Sequence, residues 1–242
     1  MQLVANQQLV KNRVRLGLGC HIAALVVFAI GLAFSLSSNT AAGELRYESW
    51  VAILIGLMLY SLGQTQLRRW GPRNRQEEQL GQAIRGLDDR YKLYAFLASS
   101  LPDYILVSPA GASVLIVNQE TGQISCVRDQ WRKPGGSKIM SLFRAGLGNP
   151  SADAARQQQR LRSVLAAEGL SNVPTSAVIV FTSPQAQLRI DGCSATVTKI
   201  KELREVLRRM AGKGQNVALT SARVREVQAV FDRRMQAAHR WR

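Results

Sequence analysis

The sequence predicts an α/β protein in which two N-terminal transmembrane helices precede a basic domain with a mixed β-sheet. Three observations lead to this fold class. Two long apolar runs lie within the first 67 of the 242 residues. Short runs rich in β-branched residues follow, separated by turns that contain glycine or proline. Helical patterns of apolar residues interrupt those runs, which is typical of an α/β domain.

The first apolar run, "LGLGCHIAALVVFAIGLAFSL" at residues 16–36, has no formal charge. A helix of this length spans roughly 30 Å, the thickness of the hydrocarbon layer of a membrane. A cleaved signal peptide is the alternative, because Lys11, Arg13 and Arg15 precede the run. The apolar core is longer than that of a typical signal peptide and a second apolar run follows, so we predict a membrane span.

The second span is predicted over residues 50–67, with Trp50 and Tyr60 as interfacial anchors. Basic residues flank the two spans on the sides away from the connecting loop: residues 1–15 form a basic N-terminus, and residues 68–80 form a basic linker. The loop at residues 37–49 holds Arg46 against Glu44 and Glu48. The positive-inside rule therefore predicts a protein integral to the cell membrane, with both termini and the bulk of the chain in the cytoplasm.

The charge of the chain predicts a polyanionic partner. The chain has 32 basic and 16 acidic residues, a net charge of +16. Nucleic acid and the anionic surface of a membrane both fit such a surplus. The three cysteines, Cys20, Cys126 and Cys193, are far apart and form no CxxC pair, so we expect neither a disulfide framework nor a zinc site. That cysteine usage also suggests a reducing compartment.

The remaining elements follow in order along the chain. Apolar residues at helical spacing predict a long helix over residues 77–101. Three short strands are then expected at residues 103–107, 113–117 and 123–127. After a glycine-rich loop, we expect a helix over residues 151–167 with Ser151 as its N-cap.

The C-terminal third is predicted as a buried strand, a hairpin and two basic helices. The run "SAVIVFT" at residues 176–182 is short and apolar enough to be a central strand. Residues 188–190 and 195–197 flank Asp191-Gly192 as a hairpin. The final helices are expected at residues 199–210 and 221–239, within a basic C-terminal segment at 198–242.

This order of elements resembles the nuclease-related domain (NERD) family, a branch of the PD-(D/E)xK restriction-endonuclease-like superfamily. The resemblance covers residues 81–197 and depends on five signatures: "LPDYILVSPAG" at 101–111, "TGQI" at 121–124, Trp131, "GNP" at 148–150 and "AVIVFT" at 177–182. It implies a restriction-endonuclease-like mixed-sheet domain. In the family, an Asp opens the first strand, the second strand ends in Glu-x-Lys, and the early helix carries Gly-Glu.

The resemblance implies a degenerate catalytic site in this chain. Asp103 matches the family's Asp, whereas Ile116 stands where the Glu belongs and Asn118 where the Lys belongs. Gln82 follows Gly81 in place of the helix Glu. Such nucleases hold Mg²⁺ through two carboxylates and need a lysine at the developing charge. One carboxylate remains, so the chain is interpreted as a former nuclease, a pseudoenzyme without a cofactor or metal site.

Two kinds of position offer a second carboxylate for a rebuilt metal site. Glu120 lies four residues beyond Ile116, about 13 Å along a strand, and is too far away. A carboxylate from the predicted long helix, such as Asp88 or Asp89, is closer to what the geometry needs. An active Mg²⁺-dependent nuclease with a rearranged site therefore stays an alternative.

The leading functional hypothesis is a membrane-anchored, NERD-like protein that binds nucleic acid non-specifically without cutting it. The alternatives are binding to anionic lipid and a membrane-associated scaffold or protein-interaction module. The oligomeric state stays open. The candidate phosphate contacts are basic residues of the glycine-rich region and of the last two helices, namely Arg128, Arg132, Lys133, Lys138, Arg204, Arg208, Arg209, Arg233 and Arg234.

Overall fold

The computed structural model describes residues 2–37, 47–70, 76–98, 100–134, 147–213 and 218–240. The chain divides into two compact units. Residues 7–74 form a helical unit, and residues 1–6 together with 75–242 form an α/β unit. The sequence assigned residues 1–15 to one basic segment, but the first six residues belong to the α/β unit.

The helical unit consists of α1 (Gln7–Ser37) and α2 (Tyr47–Trp70). By length and composition both helices are able to cross a membrane. They extend beyond the predicted spans at 16–36 and 50–67. Leu25, Leu36 and Met58 are among the large apolar side chains that the two helices leave exposed.

Small residues let the two helices approach closely. A Cβ at Gly63 would lie 2.3 Å from Nδ1 of His21, so only glycine leaves room for this ring. The His21 ring also lies 4.9 Å from that of Tyr60, and its Nδ1 is 3.0 Å from the carbonyl of Gly17. His21 is therefore a packing residue of the helix pair.

The main sheet of the α/β unit has six strands in the order β1-β2-β3-β4-β7-β9. Its strands are β1 (Gln2–Ala5), β2 (Lys92–Ala95), β3 (Tyr104–Ser108), β4 (Gly111–Asn118), β7 (Thr175–Phe181) and β9 (Thr196–Lys199). The β2-β3-β4 part is antiparallel, and the pairs β1-β2, β4-β7 and β7-β9 are parallel. The predicted mixed sheet is confirmed, and β1 is a strand that the sequence did not suggest.

A second, three-stranded sheet has the order β6-β5-β8. Its strands are β5 (Gly122–Val127), β6 (Gln130–Arg132) and β8 (Ala186–Asp191). β5 is antiparallel to β6 and parallel to β8. The predicted hairpin of residues 188–190 with 195–197 is therefore wrong, because β8 and β9 pair with different sheets.

The long helix predicted over residues 77–101 is also wrong. Helix α3 covers only Gln76–Ala83. Tyr91 immediately precedes β2, and Tyr94 lies within it. The chain turns at Gly86, which has a left-handed φ of 87°. Asp88 then accepts hydrogen bonds from the backbone and side chain of Arg90, which stabilises the turn and ends the helical path.

Three further helices cover the sheets: α4 (Pro150–Ala167), α5 (Leu203–Lys213) and α6 (Ser221–Arg240). The N-cap of α4 is Asn149, whose side chain accepts from the amide of Ala152, and not Ser151 as predicted. Ser151 is buried instead and accepts a hydrogen bond from the indole of Trp131. α4 and α6 bury their apolar faces on β3 and β4 in the main hydrophobic core.

Candidate functional site

Three of the four positions compared with the nuclease family lie on β4 or just before β3, its neighbour in the main sheet. The pairing of β3 with β4 ends at Ile105 opposite Val114; Asp103 lies two residues before Ile105, and Ile116 lies two residues after Val114. Alternate residues of a strand face the same side, so Asn118 shares the face with Ile116. Gln82 is exposed on α3, and no hydrogen bond among the described residues joins it to the other three.

Ile116 makes apolar contacts, and Asn118 makes hydrogen bonds to the backbone of neighbouring loops. Ile116 is partly buried and packs against both hydrophobic clusters of the α/β unit. The side chain of Asn118 accepts from the amide of Glu120, and its carbonyl accepts from the amide of Thr182. These two residues therefore hold the end of β4 and its turn, a role that needs no catalytic chemistry.

The carboxylates considered for a rebuilt site lie elsewhere or are engaged. Asp88 is paired with Arg90 on an exposed turn, and Arg90 holds the pKa of that carboxyl below its ordinary value. Glu120 forms an ion pair with Lys133 at 2.5 Å. Asp103 acts electrostatically on the neighbouring Tyr104. Burial raises the pKa of the Tyr104 hydroxyl, and the negative charges of Glu77 and Asp103 raise it further.

Most of the predicted C-terminal phosphate contacts make contacts within the chain. Arg204 and Arg208 donate to the carbonyls of Arg85 and Gly86, at 3.2 and 3.5 Å. Arg209 lies 4.0 Å from a Glu205 oxygen on the same helix. Arg233 and Arg234 both reach the carboxylate of Glu168, at 3.5 and 2.7 Å.

The outer face of the three-stranded sheet carries a different basic cluster. Ser125 pairs with Arg132 on one side and with Arg189 on the other, so these three residues form one row across β6, β5 and β8. Both arginines are exposed, and neither guanidinium has an ion-pair partner within the described ranges. Neighbouring strands lie about 4.8 Å apart, so the two arginine backbones are roughly 10 Å apart.

A shallow depression of about 110 Å³ adjoins this row, and it is lined by Gln123, Ile124, Ser125, Pro134, Gln187 and Arg189. Its side chains include amide, hydroxyl and guanidinium donors, which suit a phosphate oxygen. Arg128, in the turn after β5, and Lys133, after β6, flank the sheet. Of the predicted contacts of this region, Lys138 lies outside the described residues.

Arg189 was missed by the sequence analysis. The signal that could have found it is the alternation of exposed Gln187 and Arg189 with half-buried Leu188 along β8. The same alternation occurs in any strand with one exposed face, so it does not mark a binding site by itself. Only the pairing with β5 places Arg189 next to Ser125.

The two cysteines of the α/β unit lie at one end of the same sheet, where the structure contradicts the expectation of no disulfide framework. Cys126 and Cys193 form a disulfide, with Cα atoms 6.5 Å apart and a sequence separation of 67. The expectation of no disulfide is therefore wrong. The physical reason is the parallel pairing of β5 with β8, which places Cys126 opposite Ile190 and so brings it near Cys193.

Asp129 lies beside this pair, in the turn between β5 and β6. Arg128 and Asp129 both have left-handed φ angles, 48° and 64°, as the central residues of a two-residue hairpin turn of type I′ require. The Asp129 carboxylate accepts from the amide and the hydroxyl of Ser194, both at 3.0 Å. Hydrogen bonding by the Ser151 hydroxyl, and then by Ser194, holds the pKa of the Asp129 carboxyl below its ordinary value.

The geometry thus offers three separate features: the β3–β4 strand pair in which Ile116 packs into the hydrophobic clusters, a row of exposed arginines, and a cluster of two sulfurs and a carboxylate. The first lacks the carboxylate and lysine of hydrolysis, and the second can bind anionic groups. No protein-family model, curated protein or solved structure matches this chain.

Proposed function

We propose that this chain is a membrane-anchored, NERD-like protein whose α/β unit binds nucleic acid non-specifically and does not cleave it. The single observation that carries the binding proposal is the row of Arg132, Ser125 and Arg189 across the small sheet. Guanidinium groups on an exposed sheet surface can contact phosphates without reading base edges. Binding of this kind depends on charge and is indifferent to sequence.

The surplus of positive charge supports the same partner. Four of the 32 basic residues and two of the 16 acidic residues precede Arg68, so the rest of the chain carries a net charge of +14. The ion pairs of Arg233 and Arg234 with Glu168 take up part of that charge within the fold. The arginines of the small sheet stay exposed, and we therefore assign the phosphate contacts to them.

Loss of catalysis is proposed from the strand pair that carries Asp103. Ile116, which lies two residues after Val114 on the neighbouring strand, packs into the hydrophobic clusters. A hard divalent cation needs several oxygen ligands, and an isoleucine supplies none. Full-length protein with Mg²⁺ or Mn²⁺ should leave DNA and RNA intact, and Asp103→Ala should change nothing. Metal-dependent cutting that Asp103→Ala abolishes would establish the rearranged nuclease instead.

We further propose that both ends of the helical unit lie on the cytoplasmic side. The basic residues at the N-terminal end of α1, and those at and after the C-terminal end of α2, support this orientation through the positive-inside rule. The pairing of β1 with β2 adds support, since it joins residues before α1 to residues after α2 in one unit. A reporter that is active only outside the cytoplasm should be inactive when fused after Arg242. Activity of that fusion would reject the orientation.

The binding test uses the full chain in detergent micelles and fluorescence anisotropy of a labelled DNA duplex over a series of salt concentrations. We expect dissociation constants of about 1–100 µM at physiological salt, typical of non-specific binding. The logarithm of affinity should fall linearly with the logarithm of salt. Replacing Arg132 and Arg189 with Gln removes two phosphate contacts and should flatten the slope by about 1.8.

The matched control replaces Arg160 and Arg209 with Gln, which removes the same charge from exposed helix positions outside the small sheet. This variant should keep most of the slope. Equal losses in the two variants would mean that net charge alone drives binding and would reject the arginine row as the site. If DNA does not bind at low salt while vesicles of anionic lipid do, the partner is a membrane surface, and the nucleic-acid function is rejected.

A further inference from the structure

Two sulfurs and one carboxylate converge at the end of the three-stranded sheet. The Sγ atoms of Cys126 and Cys193 and a carboxylate oxygen of Asp129 all lie within 4.8 Å of one another. We propose that the dithiol form of Cys126 and Cys193, together with the Asp129 carboxylate, is a binding site for Zn²⁺. This inference is independent of the proposed binding of nucleic acid, which uses the opposite face of the sheet.

The donor set selects the metal. Thiolates are soft ligands that favour Zn²⁺ over Mg²⁺ or Ca²⁺, and zinc accepts a carboxylate oxygen beside them. Zinc sites in proteins are tetrahedral, so three protein ligands leave one position for water. Two thiolates and one carboxylate supply three negative charges against the two positive charges of the ion. Arg128, next to Asp129 in the turn, is exposed and positively charged.

Hydrogen bonds hold the three ligands together without the sulfur–sulfur bond. The amide of Arg128 donates to the carbonyl of Asp191 at 3.0 Å, which continues the β5–β8 pairing to the end of both strands. The amide and hydroxyl of Ser194 donate to Asp129 at 3.0 Å, which ties the segment after Cys193 to the hairpin turn. The backbone positions of both cysteines are therefore held by contacts that survive reduction. A site that is already assembled avoids the ordering cost of bringing distant ligands together.

Ser194 and Ser151 act on the carboxylate ligand. Carboxylates that bind metals are usually oriented by hydrogen bonds from neighbouring groups. Ser194 supplies two such bonds to one oxygen of Asp129, while the Ser151 hydroxyl is fixed by the indole of Trp131 at 2.9 Å. Trp131 in turn packs against Phe181, with ring centroids 6.0 Å apart. The carboxylate is thus held in place by the hydrophobic core beneath the sheet.

Zinc and the disulfide exclude each other. A phosphine reduces the disulfide by two electrons and becomes the phosphine oxide, while water supplies its oxygen and the two protons of the resulting thiols. Zinc then displaces both protons as the thiolates bind it. A two-electron oxidant reverses the sequence by forming the sulfur–sulfur bond and releasing the ion. The reduced chain should therefore bind zinc and the oxidised chain should not.

The test uses the full chain in detergent micelles, in two preparations of the same sequence: one reduced with a phosphine and one oxidised. Zinc is titrated in competition with a chromophoric chelator, and Co²⁺ is substituted to detect thiolate-to-metal charge transfer in the near ultraviolet. We expect one zinc per reduced chain and none per oxidised chain. Absence of stoichiometric binding to the reduced chain overturns the proposal, as does equal binding to both forms.

The variants test each ligand, with circular dichroism to check folding. Cys193→Ser should abolish the charge-transfer band. Asp129→Asn should weaken zinc affinity by at least about tenfold, because the loss of a residue that only hydrogen-bonds to a ligand already has an effect of that size. Ser194→Ala should weaken it by roughly tenfold. Cys20→Ser and Asp191→Asn are the matched controls and should bind as the unaltered chain does. Unchanged affinity in Asp129→Asn, or loss in Cys20→Ser, overturns the assignment of the ligands.

Discussion

Replacing Asp232 with Ala should loosen the docking of α6 on the main sheet. The Asp232 carboxylate accepts from Nζ of Lys92 through both of its oxygens, each at 2.8 Å. It also accepts from the hydroxyl of Tyr94 at 2.9 Å. Lys92 and Tyr94 belong to β2, so these contacts join the last helix of the chain to a strand 140 residues away.

The magnitude follows from the burial of the two partners. The Lys92 side chain is 13% exposed and that of Asp232 is 37% exposed. Breaking a fully buried pair costs about 3–5 kcal/mol, whereas a pair in full solvent contributes roughly 0–1 kcal/mol. This pair lies between the two limits, and we expect a loss of about 2 kcal/mol in the free energy of unfolding. Tyr94 keeps its hydrogen bond to the carbonyl of Gln228 at 3.0 Å, so its hydroxyl is not left unpaired.

Thermal unfolding of the full chain in detergent, followed by near-ultraviolet circular dichroism, measures the effect. A loss of about 2 kcal/mol should lower the Tm of a domain of this size by roughly 4–8 °C.

The control is Glu226→Ala on the same helix, which removes an exposed ion pair with Arg223 and should shift the Tm by no more than about 2 °C. Equal shifts in the two variants would refute the reasoning, because they would mean that burial of Lys92 adds nothing. A double variant, Lys92→Met with Asp232→Ala, should recover part of the loss. No recovery would also refute it.

Three further changes test the packing and the turns. Gly111→Ala should lower the free energy of unfolding by at least about 3 kcal/mol, measured by thermal unfolding, because Gly111 has a φ of 116° and a Cβ there would lie 2.1 Å from the carbonyl oxygen of Pro174. Gly122→Ala is the control: Gly122 has a φ of 84° with no atom within 4 Å of the added Cβ, so the loss should be only about 1 kcal/mol. Asn149→Ala removes the N-cap of α4 and should cost about 1 kcal/mol in the same measurement; no change would show that the cap is not needed. Gly63→Ala should separate α1 from α2 because its Cβ would meet the His21 ring, and cysteine cross-linking between the helices should report the loss, whereas Gly19→Ala, with nothing within 4 Å, should leave the cross-link intact.

Local patterns in the sequence were enough to predict much of the fold. The two apolar runs, the strands β3, β4, β5 and β7, and helix α4 lie close to their predicted positions. Each depends on neighbours in sequence: an uninterrupted apolar run, an alternation bounded by turn residues, or an apolar stripe at helical spacing.

Other features depended on partners distant in sequence. The stripe that includes Tyr91, Tyr94 and Leu97 fits helical spacing, yet the turn at Gly86 and pairing with β3 make it the strand region of β2. Tertiary contacts override such local preferences when an apolar run is short enough for either structure. The two segments after β7 were predicted as strands, and only their pairing decided that β8 joins the small sheet while β9 joins the large one.

The sequence by itself determined two apolar segments and a large positive charge, because both follow directly from composition. The tertiary structure decided which of these residues are neighbours. Parallel pairing of β5 with β8 places Arg189 beside Ser125 on one face and brings Cys193 to Cys126 and Asp129 at the end of the sheet. No spacing rule in the chain encodes a contact across 67 residues, because the register of two strands is fixed by the core they bury together.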